Sequence, residues 1–279
     1  MKRLVLPLLI ALIACSCFAQ SFPKKQTLIP LSNVDGVPFY IDQDMNDWAI
    51  DGFEIDQKGN FYFFGGRGHG CLASFNGAKQ VFRKNFIDLS QGGGLYLYKN
   101  YLYSSTFDKT GKPVYIKINA NIGSFAKMPG PAKNIGAATD FIDSCMIFEF
   151  SDPVPSKAHY DQYSLSGKFL KTSSKLTDIR PIFYPDTSQN YSWSFAGPWN
   201  ENYVFWGRNG LNAPDQLCLV DKTGKILAKR TIPNGLTGKG YFEEPDEDRK
   251  VRNGSFFVLG RKGNYALITE IPLASFFGK

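Results

Sequence analysis

The stretch GFEIDQKGNFYFF, residues 52–64, decides the fold predicted for this chain. Two short apolar and aromatic runs flank Asp56-Gln57-Lys58-Gly59-Asn60, where Asp, Gly and Asn are residues that favour tight turns. Aromatic and β-branched runs joined by such residues are typical of β-hairpins. The stretch therefore predicts two antiparallel strands joined by a short turn.

Hairpins of this kind recur along the chain. Another is predicted at residues 95–103, where Lys99-Asn100 separates two runs of Tyr and Leu. A third, apolar strand follows each hairpin, and these third strands are centred near residues 73, 116, 162, 218 and 268. A spacing of about 40 to 50 residues with four strands in each unit is typical of β-propeller blades. No window keeps a helical period, so little or no helix is expected.

The prediction is an all-β fold, a five-bladed β-propeller of four-stranded antiparallel blades. The first and second strands of the units are placed at 52–65, 93–105, 137–150, 191–207 and 240–260. The last unit ends after its third strand and lacks a fourth, so we expect residues 26–31 to supply it and close the ring. Closure of this kind removes an exposed sheet edge. Six blades are the alternative, because residues 176–190 and 234–241 are long enough to contain another strand pair.

The turns at 56–60 (DQKGN) and 221–225 (DKTGK) resemble those of exported bacterial β-propellers, including the NHL-type and gluconolactonase-like families. The resemblance covers most of residues 20–279 and implies one propeller domain. It assigns no functional residue, because a turn glycine reflects backbone geometry and a fold does not fix a function.

The first residues predict an export signal. Lys2 and Arg3 precede an apolar run at 4–14 that is too short to span a bilayer. Two endings are open. Leu12-Ile13-Ala14-Cys15 resembles a lipobox, which implies a signal of residues 1–14, acylation of Cys15 and an outer-membrane lipoprotein. Cleavage after Ala19 would instead remove residues 1–19 and release a periplasmic protein.

Composition argues against some partners and scaffolds. Loss of Lys2 and Arg3 leaves 30 Lys and Arg against 25 Asp and Glu. These charges are interspersed along the sequence, so no nucleic-acid partner is predicted, and membrane contact is expected only through an N-terminal lipid. Cys71, Cys145 and Cys218 are too few for a disulfide scaffold and are expected to act as small buried hydrophobic residues.

Carboxylates on the predicted innermost strands are the candidates for catalysis. Propeller ligands usually bind where these strands open at one end of the central channel, and five-bladed glycoside hydrolases place two carboxylates about 5 to 9.5 Å apart. The catalytic candidates are Asp51, Glu54, Asp140 and Glu243, and Asp143 and Glu244 lie on the same predicted strands. The alternative is that these groups are solvated or paired with Lys and Arg.

Two other segments predict ligand contacts. Trp193 and Trp199 belong to an aromatic-rich unit, and Trp199 lies in the turn GPWNEN, residues 197–202, where it suits stacking on a sugar or peptide. The alternative is that the tryptophans, Trp193 and Trp206 in particular, pack between blades. Arg67 and His69, in the loop GGRGHG, residues 65–70, are candidates for an anionic ligand, although the loop lacks a nucleotide-binding pattern.

Calcium is the one cofactor with a candidate site. Asp42, Asp44 and Asn46 copy the first positions of a calcium loop, but Asp47 stands where the turn glycine belongs and Phe53 where a closing Glu belongs. A polar loop is the alternative. No other cofactor is expected.

Taken together, the residues favour a non-catalytic cell-envelope propeller that binds a glycan, a peptide or an envelope protein. The rival hypothesis is a glycan-active enzyme that uses the channel carboxylates.

Overall fold

The chain forms five four-stranded antiparallel blades arranged in a ring, a five-bladed β-propeller. A computed structural model describes residues 23–42, 47–66, 68–130, 140–142, 145–150, 159–174, 185, 192–208, 215–232 and 249–278. The predicted fold class and blade number are confirmed. Within the described residues, the one helix is a single turn near the C-terminus, far short of the length and apolarity needed to cross a membrane.

The strands follow one another in chain order, beginning with β1 (Lys25–Pro30) and a hairpin of β2 (Tyr40–Asp42) and β3 (Asp47–Ala49). Blade 1 is β4 (Gly52–Ile55), β5 (Asn60–Gly65), β6 (Gly70–Asn76) and β7 (Lys79–Phe86); blade 2 is β8 (Tyr96–Tyr98), β9 (Tyr101–Phe107), β10 (Pro113–Asn119) and β11 (Phe125–Met128). Blade 3 is β12 (Asp140–Ile142), β13 (Cys145–Phe150), β14 (His159–Ser164) and β15 (Phe169–Ser173); blade 4 is β16 (Ser192–Trp199), β17 (Asn202–Arg208), β18 (Gln216–Val220) and β19 (Ile226–Thr231). Blade 5 is β20 (Arg249–Arg252), β21 (Ser255–Lys262), β22 (Tyr265–Pro272) and β1, and α1 (Ala274–Phe277) ends the described chain.

The ring is closed by the N-terminal strand, as predicted. β1 pairs antiparallel with β22 from Lys25 opposite Glu270 to Pro30 opposite Tyr265, and it forms the outer edge of blade 5. Proline is tolerated there because an edge strand leaves some backbone N–H groups unpaired in any case. The third strands also lie where the sequence predicts them, at β6, β10, β14, β18 and β22.

One strand prediction needs correction. The innermost strand of blade 5 is Arg249–Arg252, whereas the predicted strand pair began at residue 240. Arg249 and Val251 are buried while Lys250 and Arg252 are half-buried, which is the alternation of a strand with one buried side. Glu243 and Glu244 were assigned to this strand and instead precede it, outside the described residues.

Each gap between blades contains buried side chains that alternate along the strands. On β9, Leu102 packs toward blade 1, whereas Tyr103 packs toward blade 3, and both are buried. Gly197 marks a close approach of the inner strands, because a Cβ there would lie 2.8 Å from the backbone oxygen of Val251 in blade 5. The burial is greatest in strands such as β4, β5, β6, β18 and β21, whereas the outer strands β7, β11, β15 and β19 are mostly exposed or half-buried.

Cysteines lie within these strands as free thiols. Cys71 and Cys218 are buried and Cys145 is half-buried. Burial raises the pKa of Cys71, and it raises the pKa of Cys218 to about 11. Cys71 and Cys218 thus behave as the small hydrophobic residues predicted.

Successive connections of an antiparallel blade leave from opposite ends, so the ring has two distinct faces. The turn face carries the short turns between first and second strands, which include residues 56–59, 99–100, 200–201 and 253–254. The loop face carries the connections between blades, which include residues 87–95 between blades 1 and 2. On the turn face, Asn253 Nδ2 donates hydrogen bonds to the backbone oxygens of Asp56 (3.1 Å) and Gln57 (3.3 Å), which ties blade 5 to blade 1.

Candidate functional site

Glu54 lies on the innermost strand of blade 1, but it is committed to contacts between blades. Its side chain is 1% exposed, and Arg252 of blade 5 donates from one terminal nitrogen, 3.0 Å from Oε1 and 3.1 Å from Oε2. The backbone N–H of Leu97 in blade 2 also donates to Oε2, at 3.4 Å. Glu54 therefore joins three blades and matches the alternative in which these carboxylates pair with Lys or Arg. A carboxylate held in this way is poorly placed to transfer protons.

A second buried ion pair joins blades 4 and 5. Arg249 donates to Asp215 Oδ2 at 3.0 Å, and the two side chains are 1% and 7% exposed. The Arg249 guanidinium carbon lies 3.9 Å from the ring centroid of Trp206, so the cation also contacts an aromatic face. Asp215 in turn accepts the backbone N–H of Ile232 at its own backbone oxygen, 2.7 Å away.

The other predicted catalytic carboxylates lie at the loop face or outside the described residues. Asp51 directly precedes β4 and is half-buried, and a Cβ added to Gly92 would lie 2.5 Å from its Oδ2. Asp140 begins β12, and its backbone pairs with Ile147. Asp143, Glu243 and Glu244 lie outside the described residues. The convergence of Asp51, Asp140 and Glu243 on one channel stays a prediction.

Trp193 belongs to the core, which corrects its assignment as a ligand contact. It is 6% exposed and packs with Phe205, Cys218 and Val220 inside blade 4. Trp206 is likewise 5% exposed. The alternative in which these two tryptophans pack inside the ring is the one that the structure supports.

Trp199 differs from them because it lies at the turn face and is half-buried. Its ring centroid is 5.6 Å from that of Phe277, with the planes tilted by 38°. The adjoining turn exposes Asn200 and Glu201, and Asn200 adopts a φ of +54°. The result is an aromatic pair bordered by an amide and a carboxylate, which we call the Trp199 platform.

The single-turn helix α1 places Phe277 in this platform. Phe276 is buried and packs into the gap between blades 4 and 5, which fixes the helix. Arg230, on the outer strand of blade 4, donates from Nε to the backbone oxygen of Phe276 at 3.0 Å. The C-terminal segment is therefore held against blade 4, and Phe277 stays half-buried beside Trp199.

A second aromatic group lies at the turn face of blade 2. Tyr98 and Tyr101 flank the Lys99-Asn100 turn, and Lys117 projects over the same region from β10. Lys117 Nζ is 3.8 Å from the Tyr101 ring centroid and 5.9 Å from that of Tyr103, while Lys99 Nζ is 5.2 Å from the Tyr98 ring. We call Tyr98, Lys99, Tyr101, Tyr103 and Lys117 the tyrosine–lysine cluster.

The phenols of Tyr103 in this cluster and of Tyr115 beside it are held in their neutral form. Burial, and then the neighbouring Tyr101 and Tyr98, raise the pKa of Tyr103. Burial and Tyr163 raise the pKa of Tyr115, which packs in the same gap, to about 12. Neutral phenols keep a hydroxyl that donates hydrogen bonds at physiological pH.

The loop predicted for an anionic ligand lies at the loop face of blade 1. The Gly68 N–H donates to the backbone oxygen of Ser90 at 2.7 Å, which ties this loop to the connection between blades 1 and 2. His69 is half-buried, and Arg67 lies outside the described residues. A role for Arg67 and His69 in ligand binding stays a prediction.

The calcium candidate falls on the hairpin of β2 and β3. Asp42 and Asp47 are directly opposite each other at the end of this hairpin, and Asp44 and Asn46 lie between them, outside the described residues. In the part of the chain that the structure describes, no three His, Cys, Asp or Glu side chains are grouped to hold a metal ion.

Sequence reasoning missed Phe277 and the tyrosine–lysine cluster. Phe277 is distant from Trp199 in sequence and contacts it because blades 4 and 5 pack side by side. The cluster left a signal in YLYKNYLY, residues 96–103, where tyrosines alternate with leucine within each strand and the two-residue turn places them opposite each other on one side of the sheet. Residues 96–103 were read as a hairpin only, and Lys117 comes from a strand outside it.

Comparisons with known proteins find distant structural similarity and no sequence match. No protein-family model matches the chain, and no curated protein matches its sequence. Similar solved structures include a GH43 endo-arabinanase from Bacillus licheniformis, with 10% identity and a TM-score of 0.38; the match covers 78% of this chain and 91% of that chain. The WD40 propeller domain of Doa1 has 11% identity and a TM-score of 0.36, and the match covers 89% of this chain and 97% of that domain. TolB from Acinetobacter baumannii has 11% identity and a TM-score of 0.35, and the match covers 90% of this chain and 65% of that chain. Similarity this low carries no argument about function, and the class of this protein, a five-bladed β-propeller, rests on its own strand order.

Proposed function

We propose that this propeller is a non-catalytic binding module that takes a glycan on its turn face, with the Trp199 platform as the main contact. We also propose that it works outside the cytoplasm, either anchored through Cys15 or released by cleavage after Ala19. The half-buried Trp199 beside Phe277 is the single observation that carries the proposal.

The chemistry of the platform suits a sugar. The apolar C–H face of a pyranose packs against an indole ring, and its hydroxyls need hydrogen-bond partners at the ring edge. Asn200 offers an amide donor and acceptor, and Glu201 offers a carboxylate acceptor. The aromatic pair is also fixed before binding, because α1 is anchored by Phe276, and this lowers the entropy lost on association.

Commitment of Glu54 supports binding over catalysis. A glycosidase needs a carboxyl group free to give and accept a proton beside the sugar. Glu54 accepts from Arg252 and from a backbone N–H and is almost fully buried, so its contacts favour a structural role. The proposed site also lies at the turn face, whereas Asp51 lies at the loop face, directly before the strand β4 that carries Glu54.

The proposal is tested by measuring glycan affinity of the purified protein and its variants by titration calorimetry, after a glycan array has supplied a ligand. Trp199→Ala should weaken affinity at least about tenfold, as expected for loss of a central aromatic anchor. Tyr265→Ala is the matched control, because it removes an exposed aromatic ring at the loop face. Affinity should then change less than about twofold. Equal losses in both variants, or none in Trp199→Ala, would contradict the proposal. Release of a shortened glycan by the purified protein would contradict its non-catalytic part.

A further inference from the structure

We propose that the tyrosine–lysine cluster of blade 2 is a subsite for a negatively charged group, so that the glycan bound at the turn face is an acidic one. This inference rests on the proposed function and names the class of its ligand. It assigns Lys117 and Lys99 as the cations that contact the acidic group.

The position of Lys117 is the first argument. The residue is half-buried near the turn-face end of β10, two residues before the strand ends. Its ammonium lies 3.8 Å from the centroid of Tyr101, so the tyrosine face compensates part of its lost hydration. An aromatic face is a weaker partner than a carboxylate, and the ammonium keeps the capacity to bind an anion.

The lack of an ion-pair partner for either lysine among the described residues is the second argument. The four strands of blade 2 contain no Asp or Glu. Among the residues that the structure describes, neither Lys117 nor Lys99 lies within ion-pair distance of a carboxylate. Partial burial of a positive charge without a counter-ion is costly, and an arriving anion reduces that cost. The end of blade 2 at the turn face is thus electrostatically complementary to a negative group.

The tyrosines supply the remaining contacts. Tyr98 and Tyr101 are half-buried, which leaves part of each ring and hydroxyl accessible at the turn face. A neutral phenol donates to an anionic oxygen, and its ring edge packs against a sugar. Lys99 lies in the turn and extends the subsite into solvent. Its backbone φ of +56° is uncommon for a residue other than glycine, Asn or Asp.

Matched pairs of polymers isolate the charge of the ligand. Polygalacturonate is compared with its fully methyl-esterified form, which differs in carrying neutral esters in place of carboxylates. Dextran sulfate is compared with unmodified dextran, which differs in sulfate. We expect at least one acidic polymer to bind at least tenfold more tightly than its neutral counterpart, and the affinity to fall with added salt. The pair that shows the difference identifies the acidic group.

Two variants of the same blade isolate the site. Lys117→Met keeps the unbranched stem on the tyrosine rings and removes the charge, whereas Lys127→Met removes a charge from the exposed outer strand. Lys117→Met should abolish most of the preference for the acidic polymer, and Lys127→Met should change affinity less than twofold. Unchanged thermal unfolding midpoints would establish that both variants are folded.

The outcomes separate this inference from the proposed function. Equal binding of acidic and neutral polymers, equal effects of the two lysine variants, or no binding to either acidic polymer would overturn the acidic-glycan assignment. Loss of affinity in Trp199→Ala together with no effect of Lys117→Met would leave the glycan platform standing alone. The opposite result would retain the anion subsite and overturn the Trp199 platform.

Discussion

The cations of blade 5 and those of blade 2 have different partners. Where blade 5 meets its neighbours, Arg249 and Arg252 are each paired with a buried carboxylate from another blade, Asp215 and Glu54. On blade 2, Lys117 lies over tyrosine rings, and the four strands of its own blade contain no acidic residue. In the first arrangement each cation has a carboxylate partner within the protein, whereas in the second the cation contacts only aromatic rings among the described residues.

The difference indicates which contacts hold the ring and which are available for binding. A guanidinium fixed by a carboxylate in a dry gap resists exchange with a ligand, because removal of either partner leaves a buried charge. An ammonium on a partly exposed aromatic surface contributes little to stability. We therefore expect substitutions at blade 5 to affect folding and substitutions at blade 2 to affect binding.

The largest effect is expected from Arg249→Met. This change leaves the buried carboxylate of Asp215 without its cation, which typically costs about 3–5 kcal/mol of unfolding free energy. Chemical denaturation followed by tryptophan fluorescence measures the loss. Because Trp206 contacts Arg249, the native fluorescence should change as well.

Asp215→Leu in the Arg249→Met background is the control for this assignment. Apolar residues that replace both partners of a buried ion pair often restore much of the stability. If the double variant is as unstable as Arg249→Met alone, the lost packing of Arg249, and not the uncompensated charge, explains the effect.

The turns show how much of the fold is predictable from local sequence. DKTGK occurs at 108–112 and again at 221–225, once at the loop face and once at the turn face. In both copies the first Asp accepts hydrogen bonds from the N–H groups two and four residues later, at 2.8 and 3.0 Å. The hydrogen bond from the Thr hydroxyl, and then these backbone hydrogen bonds, lower the pKa of Asp108 and Asp221. Structure that depends on neighbours within five residues was therefore predictable.

The sites depend on residues that are distant in sequence, and there sequence reasoning was weaker. Glu54 was correctly placed on an inner strand, but its partner Arg252 is 198 positions away and reaches it only because the ring closes. The strand that carries Arg252 was also predicted about nine residues too early. Turn residues predicted the hairpins and the spacing of the third strands predicted five blades, but neither showed which side chains face each other between blades.

An intermediate effect is expected at alkaline pH in the gap between blades 2 and 3, which is filled by phenol rings. The folded protein holds the pKa of Tyr115 at about 12, against an ordinary value near 10, so folding favours the protonated phenol. This contribution is complete below pH 10 and is lost as the pH rises toward 12, and the total loss is on the order of 2 kcal/mol. Urea unfolding between pH 9 and 12 measures the decline.

Tyr115→Phe is the control, because it keeps the ring against Phe148 and removes the ionisable hydroxyl. Other buried tyrosines titrate in both proteins, so the difference between the two curves reports Tyr115 alone. Parallel curves would show that Tyr115 is deprotonated without loss of folding free energy.

The smallest effect on folding is expected from Lys117→Met. A cation–π contact at a partly exposed position is worth about 0.5–1 kcal/mol, and the methionine side chain offsets part of it by packing on the same rings. The unfolding free energy should therefore change by less than about 1 kcal/mol, measured by urea denaturation beside Arg249→Met. Lys127→Met provides the baseline for loss of one positive charge from blade 2. A destabilisation as large as that of Arg249→Met would mean that Lys117 is already paired within the protein. The contrast between the cations of blade 5 and those of blade 2 would then no longer hold.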